Sequence, residues 1–161
     1  MRFATLSFCV SILMVVSTGC ECAPTRSNNQ LRTLAPGESV SLDVRARCFD
    51  NHTGIRLEAN AKYELQVADD QKWFDGWLPA DACGYDTEFL SHFRWVARDP
   101  LYDWFTLMAY VDRVPDDRRG VGKLGQFTPK SGGELICYAN DALFMYWDNR
   151  GALRVTVVRL P

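Results

Sequence analysis

Residues 40–48 alternate strictly between apolar and polar side chains. In an extended chain a period of two places successive side chains on opposite faces, so one face would be buried and the other solvated. The segment therefore predicts a half-buried strand, the first of the chain. Its apolar face consists of Val40, Leu42, Val44, Ala46 and Cys48, and its polar face of Ser41, Asp43, Arg45 and Arg47.

Short runs of the same kind recur along the rest of the chain, separated by Gly, Asn, Asp and Pro clusters that mark turns. They cover residues 55–57, 63–67, 104–111, 135–139 and 153–158. This succession predicts an all-β sandwich. One short helix is expected within residues 86–97, where Phe89, Leu90, Phe93 and either Val96 or Ala97 recur at helical spacing.

The first residues have the features of an export signal. Met1-Arg2 is positively charged, and the apolar run 8–16 is too short to span a bilayer. The run Ser17-Thr-Gly-Cys20 resembles a bacterial lipoprotein processing site, and Glu21 favours the outer membrane. Ordinary cleavage after Gly19, giving a periplasmic or secreted protein, is the alternative. We thus expect a signal peptide (1–19), a lipid-attachment Cys20 with a flexible tether (20–38) and one domain (39–161).

The charge distribution excludes nucleic acid as a partner. The chain has 18 basic and 20 acidic residues, with a net charge of -2, and the basic residues are scattered among the acidic ones. A nucleic-acid-binding protein would show a basic patch or stripe. The densest charged run, residues 116–119, is expected to be a solvated loop.

Six cysteines enter an oxidising compartment, in which disulfides persist. Cys9 would leave with the signal and Cys20 would carry lipid. We expect one bridge between two of Cys48, Cys83 and Cys137, with Cys48–Cys83 favoured because both lie in loops or at strand ends. Zinc is not expected, since paired Cys/His spacing is absent. The remaining cysteines are Cys22, Cys48, Cys83 and Cys137.

The loop between the last two predicted strands is dense in side-chain oxygens. Asp141, Asp148 and Asn149 supply the carboxylate and amide oxygens that Ca²⁺ prefers, and backbone carbonyls could complete its six to eight ligands. An ordinary polar hairpin loop is the alternative, because Asn, Asp and Gly are common turn residues.

The order of residues in this region carries a resemblance. Asn140-Asp141, then Tyr146, then Asp148-Asn149-Arg-Gly151 before a β-branched strand resembles the calcium and sugar loop of the LecA-like galactophilic bacterial lectins. Landmarks at 44–55, 63–67, 73–76 and 104–107 follow the order expected of that family. The resemblance covers about residues 39–160. It implies a galactose-binding-domain-like jelly roll that binds carbohydrate through Ca²⁺.

Carried over by position, the resemblance implies a ligand set for the ion. Asp141, Asp148 and Asn149 would contribute side chains, and Met145 and Gly76 would contribute backbone carbonyls. Met145 replaces the usual Thr. Asp148 replaces the usual Asn, which adds a negative charge for Ca²⁺ and removes an amide donor to the sugar. The His and Gln that contact the sugar's hydroxymethyl group in the family have no counterpart in residues 78–84.

Five tryptophans could stack on sugars or fill the core. Trp104, flanked by apolar residues, is expected in the core. Trp77 and Trp147 lie in polar loops and are the candidates for a sugar-binding surface, together with the side chains of Asp141, Asp148 and Asn149.

Catalysis is not expected. The two histidines, His52 and His92, lie in no nucleophile or zinc-hydrolase signature. A carboxylate pair for glycoside hydrolysis is defined by spatial separation, so an enzyme stays a minor alternative. The sequence therefore predicts a calcium-dependent carbohydrate-binding envelope lipoprotein. The leading alternative is a non-catalytic lipoprotein that binds a protein, such as a hydrolase, without calcium.

Overall fold

The computed structural model of the protein describes residues 31–161. The predicted signal peptide, Cys20 and most of the tether lie outside the described residues. No helix among residues 31–161 is long and apolar enough to cross a membrane. The strands are β1 (Arg32–Thr33), β2 (Ser39–Arg45), β3 (Asn51–Leu57), β4 (Tyr63–Val67), β5 (Trp73–Asp75), β6 (Leu78–Ala80), β7 (Leu107–Val111), β8 (Arg119–Gly120), β9 (Leu124–Phe127), β10 (Gly133–Ala139) and β11 (Ala152–Arg159).

These strands form two sheets and a separate hairpin, which confirms the predicted all-β sandwich. One sheet has the order β1-β3-β10-β7-β8 and the other β2-β11-β4-β9, while β5 and β6 form a two-stranded hairpin. Every pairing is antiparallel except that of β1 with β3. β1 lies before residue 39, the predicted start of the domain.

The main core lies between the two sheets. β2 shows the predicted alternation, with Val44 fully buried, Val40 and Leu42 half-buried, and the intervening polar side chains exposed. Leu65 and Val155 face Leu135 and its neighbours from the other sheet in one buried cluster. Because strand side chains alternate between faces, each strand contributes every second residue to this cluster.

β7 and β10 are buried on both faces, unlike β2. Their second face holds a separate apolar cluster of Met108, Tyr110, Ile136 and Tyr138. All five residues of β7 are therefore buried. This explains why residues 107–111 form a continuous apolar run in the sequence.

The predicted helical segment is confirmed but is shorter than residues 86–97. It consists of helix α1 (Glu88–Ser91) and a 3-10 turn (Arg94–Val96). Thr87 caps the helix, its hydroxyl accepting the amide hydrogen of Leu90 at 3.1 Å. The helix buries no side chain, and Phe89 is 71% exposed.

Two expectations are wrong. Asp117, within the predicted solvated run 116–119, is fully buried, and its carboxylate accepts hydrogen bonds from the amides of Lys130 (2.7 Å) and Ser131 (3.1 Å). Cys83 and Cys137 are free thiols, so the expected bridge among the last three cysteines, including Cys48–Cys83, does not form. Cys48 is disulfide-bonded, and neither of those two is its partner.

Candidate functional site

Three chain segments meet at one end of the sandwich: the β10–β11 loop, the β5–β6 hairpin and the segment around Tyr85. The hairpin is joined to the loop by two backbone hydrogen bonds of 2.9 Å between Phe74 and Arg150. The amide of Tyr85 donates to the carbonyl of Trp104 at 2.8 Å. Backbone contacts within the protein therefore hold these segments in place.

Asn140 fixes the start of the β10–β11 loop. It is fully buried, and its Oδ1 accepts the amide hydrogen of Asp99 at 2.9 Å. Its Nδ2 donates to the carbonyls of Asp99 (2.8 Å), Tyr102 (3.1 Å) and Asp103 (3.1 Å). These hydrogen bonds all serve the neighbouring segment, so Asn140 is a structural residue that positions the next one, Asp141.

Asp141 and Asn149, predicted to act together, are in direct contact. The Nδ2 of Asn149 donates to Oδ2 of Asp141 at 2.8 Å, and Oδ1 of Asp141 accepts the amide hydrogen of Ala142 at 2.6 Å. Asp141 is 2% exposed and Asn149 is 1% exposed. With its amide group used in this way, Asn149 has its carbonyl oxygen left to offer.

Asp148 lies against the tip of the β5–β6 hairpin. A two-residue turn there requires a positive φ at its first position, which Gly76 supplies with φ +53. A Cβ at Gly76 would lie 3.5 Å from Oδ2 of Asp148. The Gly76 carbonyl accepts a hydrogen bond from the Arg150 guanidinium at 2.5 Å. Gly76 therefore lies next to the β10–β11 loop.

Asp75 is a residue of the site that sequence reasoning missed. It ends β5, and its carboxylate accepts a hydrogen bond from the Tyr85 hydroxyl. Its charge interacts with those of Asp148 and Asp141. The sequence signal was weak, because an Asp before a Gly is ordinary turn chemistry.

Gly84 places Tyr85 within reach of Asp75. Gly84 has φ +77, and a Cβ there would lie 2.2 Å from the Trp104 carbonyl oxygen. Only a glycine permits this approach of the two backbones. The Tyr85 ring then lies in the site between the hairpin and the loop.

Two buried oxygens in this group have no hydrogen-bond partner: Oδ1 of Asp148 and Oδ1 of Asn149. Buried polar atoms in folded proteins are nearly always paired, and an exception calls for a bound ion, a water or a strain. Both atoms belong to residues predicted to hold Ca²⁺.

The carboxylates of the site repel one another. Burial raises the pKa of Asp141 to about 7, and the charges of Asp75 and Asp148 act in the same direction, against the hydrogen bond from Asn149. Burial also raises the pKa of Asp75, with a contribution from Asp148. A cation placed between these groups would relieve both effects.

Among residues 31–161, no three His, Cys, Asp or Glu side chains stand close enough together to hold a metal ion by themselves. The predicted calcium ligands differ in kind, since they combine carboxylates with the amide oxygen of Asn149 and with backbone carbonyls. The carbonyl of Met145 lies in the same loop and accepts the amide hydrogen of Asp148 at 3.3 Å.

Three tryptophans singled out in the sequence differ in exposure. Trp104 is 6% exposed, which confirms the core prediction. Trp77, at the hairpin tip, is 84% exposed, and Trp147, in the loop, is 65% exposed. Each is next in sequence to a predicted site residue, Gly76 and Asp148 respectively, and leaves a large aromatic surface exposed.

Comparison with known proteins identifies the fold. No protein-family model matches the chain, and no curated protein sequence matches it. The structure is similar to a solved structure described as the N-terminal domain of EclA, a PllA-like lectin. The TM-score is 0.53 at 20% sequence identity, over 74% of this chain and 94% of that one. The chain has a lectin-like fold.

Proposed function

We propose that this protein binds carbohydrate through a Ca²⁺ ion held between the β10–β11 loop and the β5–β6 hairpin. The lectin-like fold supports carbohydrate binding as the class of function. The observation that carries the proposal of calcium is the pair of buried, unpartnered oxygens on Asp148 and Asn149. Both are hard oxygen donors, the ligand type that Ca²⁺ takes.

The residues present fit such an ion. Asp141, Asp148 and Asn149 would bind it through side-chain oxygens, and the carbonyls of Met145 and Gly76 would complete the set. Each carbonyl accepts one hydrogen bond already and keeps a second lone pair. Asp75, held by Tyr85, adds negative charge beside the ion.

The protein's own groups would orient the sugar. Bound Ca²⁺ would supply a positive charge that attracts two neighbouring hydroxyl oxygens of the sugar. The carboxylates of Asp141 and Asp148 accept hydrogen bonds from those hydroxyls, and Trp147 and Trp77 offer ring faces at the rim. Asp148 has no amide group that could donate to the sugar. The sugar is therefore held mainly by hydrogen bonds that its own hydroxyls donate to the carboxylates.

The experiment is thermal unfolding with and without calcium. A ligand that binds only the folded state at about 100 times its Kd stabilises it by about 2.7 kcal/mol, a rise of several degrees in Tm for a domain of this size. Asp141→Ala should abolish the rise. Asp148→Asn should reduce it modestly. Asp116→Asn, an exposed carboxylate at the opposite end of β7, is the matched control and should keep it in full.

A glycan array with and without chelator then tests the ligand class. Binding that disappears with chelator supports the proposal. No calcium-dependent rise in Tm at millimolar ion, or a full rise in Asp141→Ala, would contradict it and favour a calcium-independent protein-binding role.

We further propose export and lipid attachment at Cys20, which rests on the sequence pattern of residues 1–20. The full-length protein should incorporate radiolabelled palmitate and enter the outer-membrane fraction. Cys20→Ala should release it or block its processing, and a wild type that takes up no label would contradict the lipid anchor.

A further inference from the structure

A cavity of about 350 Å³ opens directly beside the carboxylates. Asp75 and Asp141 form one wall of it, with the Tyr85 hydroxyl between the hairpin and the loop. Its size is in the range of small-molecule sites. Any ligand that reaches the proposed ion from this side must therefore also occupy the cavity.

The opposite wall is apolar. It is formed by Leu90, Phe93 and Val96 of the segment that contains α1, and by Phe144 and Met145 of the β10–β11 loop. None of these side chains can form a strong hydrogen bond. The nearby Trp104 Nε1 is already used, since it donates to the carbonyl of Leu90 at 3.0 Å. A hydroxyl group directed at this wall would lose its hydration without gaining a partner.

Contacts with the sandwich hold the α1 side of the apolar wall. Arg94, within the 3-10 turn, pairs with Asp86 at 2.6 Å and with Asp103 at 2.5 Å. Leu90 and Val96 pack on the buried cluster that contains Trp104. This segment is therefore tied to the sandwich at several points, and it presents Phe93 to the cavity.

From this juxtaposition we propose that the sugar bound here carries an apolar group, placed against the wall formed by Leu90, Phe93, Val96 and Phe144. The inference rests on the proposed calcium-dependent function. Two neighbouring hydroxyls of the sugar face the carboxylates, and the apolar group is the methyl of a 6-deoxy sugar.

The test compares matched ligands by calorimetry with the calcium-loaded protein. One pair is the methyl glycosides of D-fucose and D-galactose, the other those of D-rhamnose and D-mannose, and the members of each pair differ only in one hydroxyl. In at least one pair the deoxy sugar should bind about tenfold tighter, since its methyl group stands against the apolar wall in place of an unsatisfied hydroxyl.

Phe93→Ser and Phe144→Ser should each reduce that preference towards one. Both rings are substantially exposed, at 42% and 60%, so these variants are expected to fold. Trp95→Ser is the matched control, because Trp95 lies in the same segment, is 74% exposed and does not line the cavity. It should keep the full preference.

The calcium-dependent rise in Tm distinguishes failure of the apolar-group inference from failure of the proposed function. Equal affinities within every pair, with the calcium response intact, would overturn the apolar-group inference and leave the proposed function standing. Preference retained in both Phe variants would overturn it as well. Loss of the calcium response together with the absence of any glycoside binding would overturn the proposed function itself.

Discussion

Asp50 and Asp141 are both buried carboxylates, but Asp50 meets two guanidinium groups and Asp141 meets an amide. Asp50 accepts hydrogen bonds from Arg98 at 2.7 Å, Arg113 at 2.8 Å and the Tyr110 hydroxyl at 2.5 Å. Burial alone would raise the pKa of Asp50, but the hydrogen bonds from Tyr110 and the two arginines outweigh it and lower the pKa.

Arg98 is satisfied equally well. Its guanidinium carbon lies 3.7 Å from the centre of the Tyr138 ring and 4.1 Å from that of Phe49, and it also donates to the Phe49 carbonyl. Such cation–π contacts stabilise a desolvated charge. The Asp50 carboxylate thus has charged donors within the protein, and the Asp50–Arg98 cluster covers the outer face of β7 and β10. The Tyr138 hydroxyl beside it is buried without a hydrogen-bond partner, so only the charges of the cluster are fully paired.

The neighbouring site, in the loop that follows β10, is built differently, although the Arg98 amide donates to the Asp141 carbonyl at 2.9 Å. Asp75 and Asp141 accept hydrogen bonds from the Tyr85 hydroxyl and the Asn149 amide, which are uncharged donors, and burial raises the pKa of Asp141 to about 7. Two buried oxygens of the site have no partner. The comparison indicates that a buried carboxylate is structural where the fold supplies an opposite charge, as for Asp50. Where the fold supplies no opposite charge, as for Asp141, a buried carboxylate indicates a ligand.

The largest effect is expected from a substitution that breaks the ion pairs of the Asp50–Arg98 cluster. Asp50→Ala should lower the free energy of unfolding by about 3–5 kcal/mol, because it leaves the buried Arg98 guanidinium without its carboxylate. Urea unfolding measures the change. Asp43→Ala is the control, since its ion pair with Arg154 is exposed and should contribute less than about 1 kcal/mol. Equal effects in the two variants would show that the Asp50 cluster adds no special stability.

Acid should act on the same cluster. Because the pKa of Asp50 is lower in the folded state than in the unfolded state, its stabilisation is present above the unfolded pKa, near 4, and is lost as the pH falls through the folded value. The Tm of the wild type, measured from pH 6 to pH 2, should therefore fall below about pH 4. Asp50→Asn should fall less steeply over that interval, and parallel curves would argue against this assignment.

A smaller effect is expected at the carboxylate site without calcium. Asp141→Asn removes a charge that Asp75 and Asp148 repel, so in chelator it should change stability by less than about 1 kcal/mol or increase it slightly. With calcium present the same variant should be the less stable protein, because it gains little from the ion. A large loss of stability in chelator would mean that Asp141 is structural, like Asp50.

The smallest effect concerns the two free thiols of residues 31–161, one exposed and one buried in the core. Cys83 is exposed and should be alkylated rapidly in the native protein. Cys137 is buried in the core between the two sheets, and burial raises its pKa to about 12, so it should react only when that core opens, which should be more frequent in a destabilised variant such as Asp50→Ala. Mass spectrometry after alkylation of the native protein measures how far each of the two cysteines has been modified.

Peptide mapping of the unreduced protein identifies the disulfide partner of Cys48. If Cys9 is removed with the signal and Cys20 is acylated, Cys22 is the remaining candidate, and a Cys22–Cys48 peptide is expected. Finding Cys48 free in the unreduced protein would contradict this pairing.

The sequence by itself determined the fold class and the loop that carries most of the site. Alternation in residues 40–48 reflects one solvated face and one buried face, a local pattern that survives folding unchanged. Asp141, Asp148 and Asn149 lie within nine residues of one another, so a single loop brings them together without knowledge of the rest of the chain.

Only the tertiary structure decided what depends on distant segments. Asp75 reaches Asp141 because the β5–β6 hairpin pairs with Arg150, and Asp117 is buried because the Lys130–Ser131 backbone folds over it. Contacts between distant segments also leave Cys83 without a disulfide partner and place the apolar wall beside the carboxylates. Long-range packing sets which polar groups lose water and which find partners, and the residue types along the chain do not encode that outcome locally.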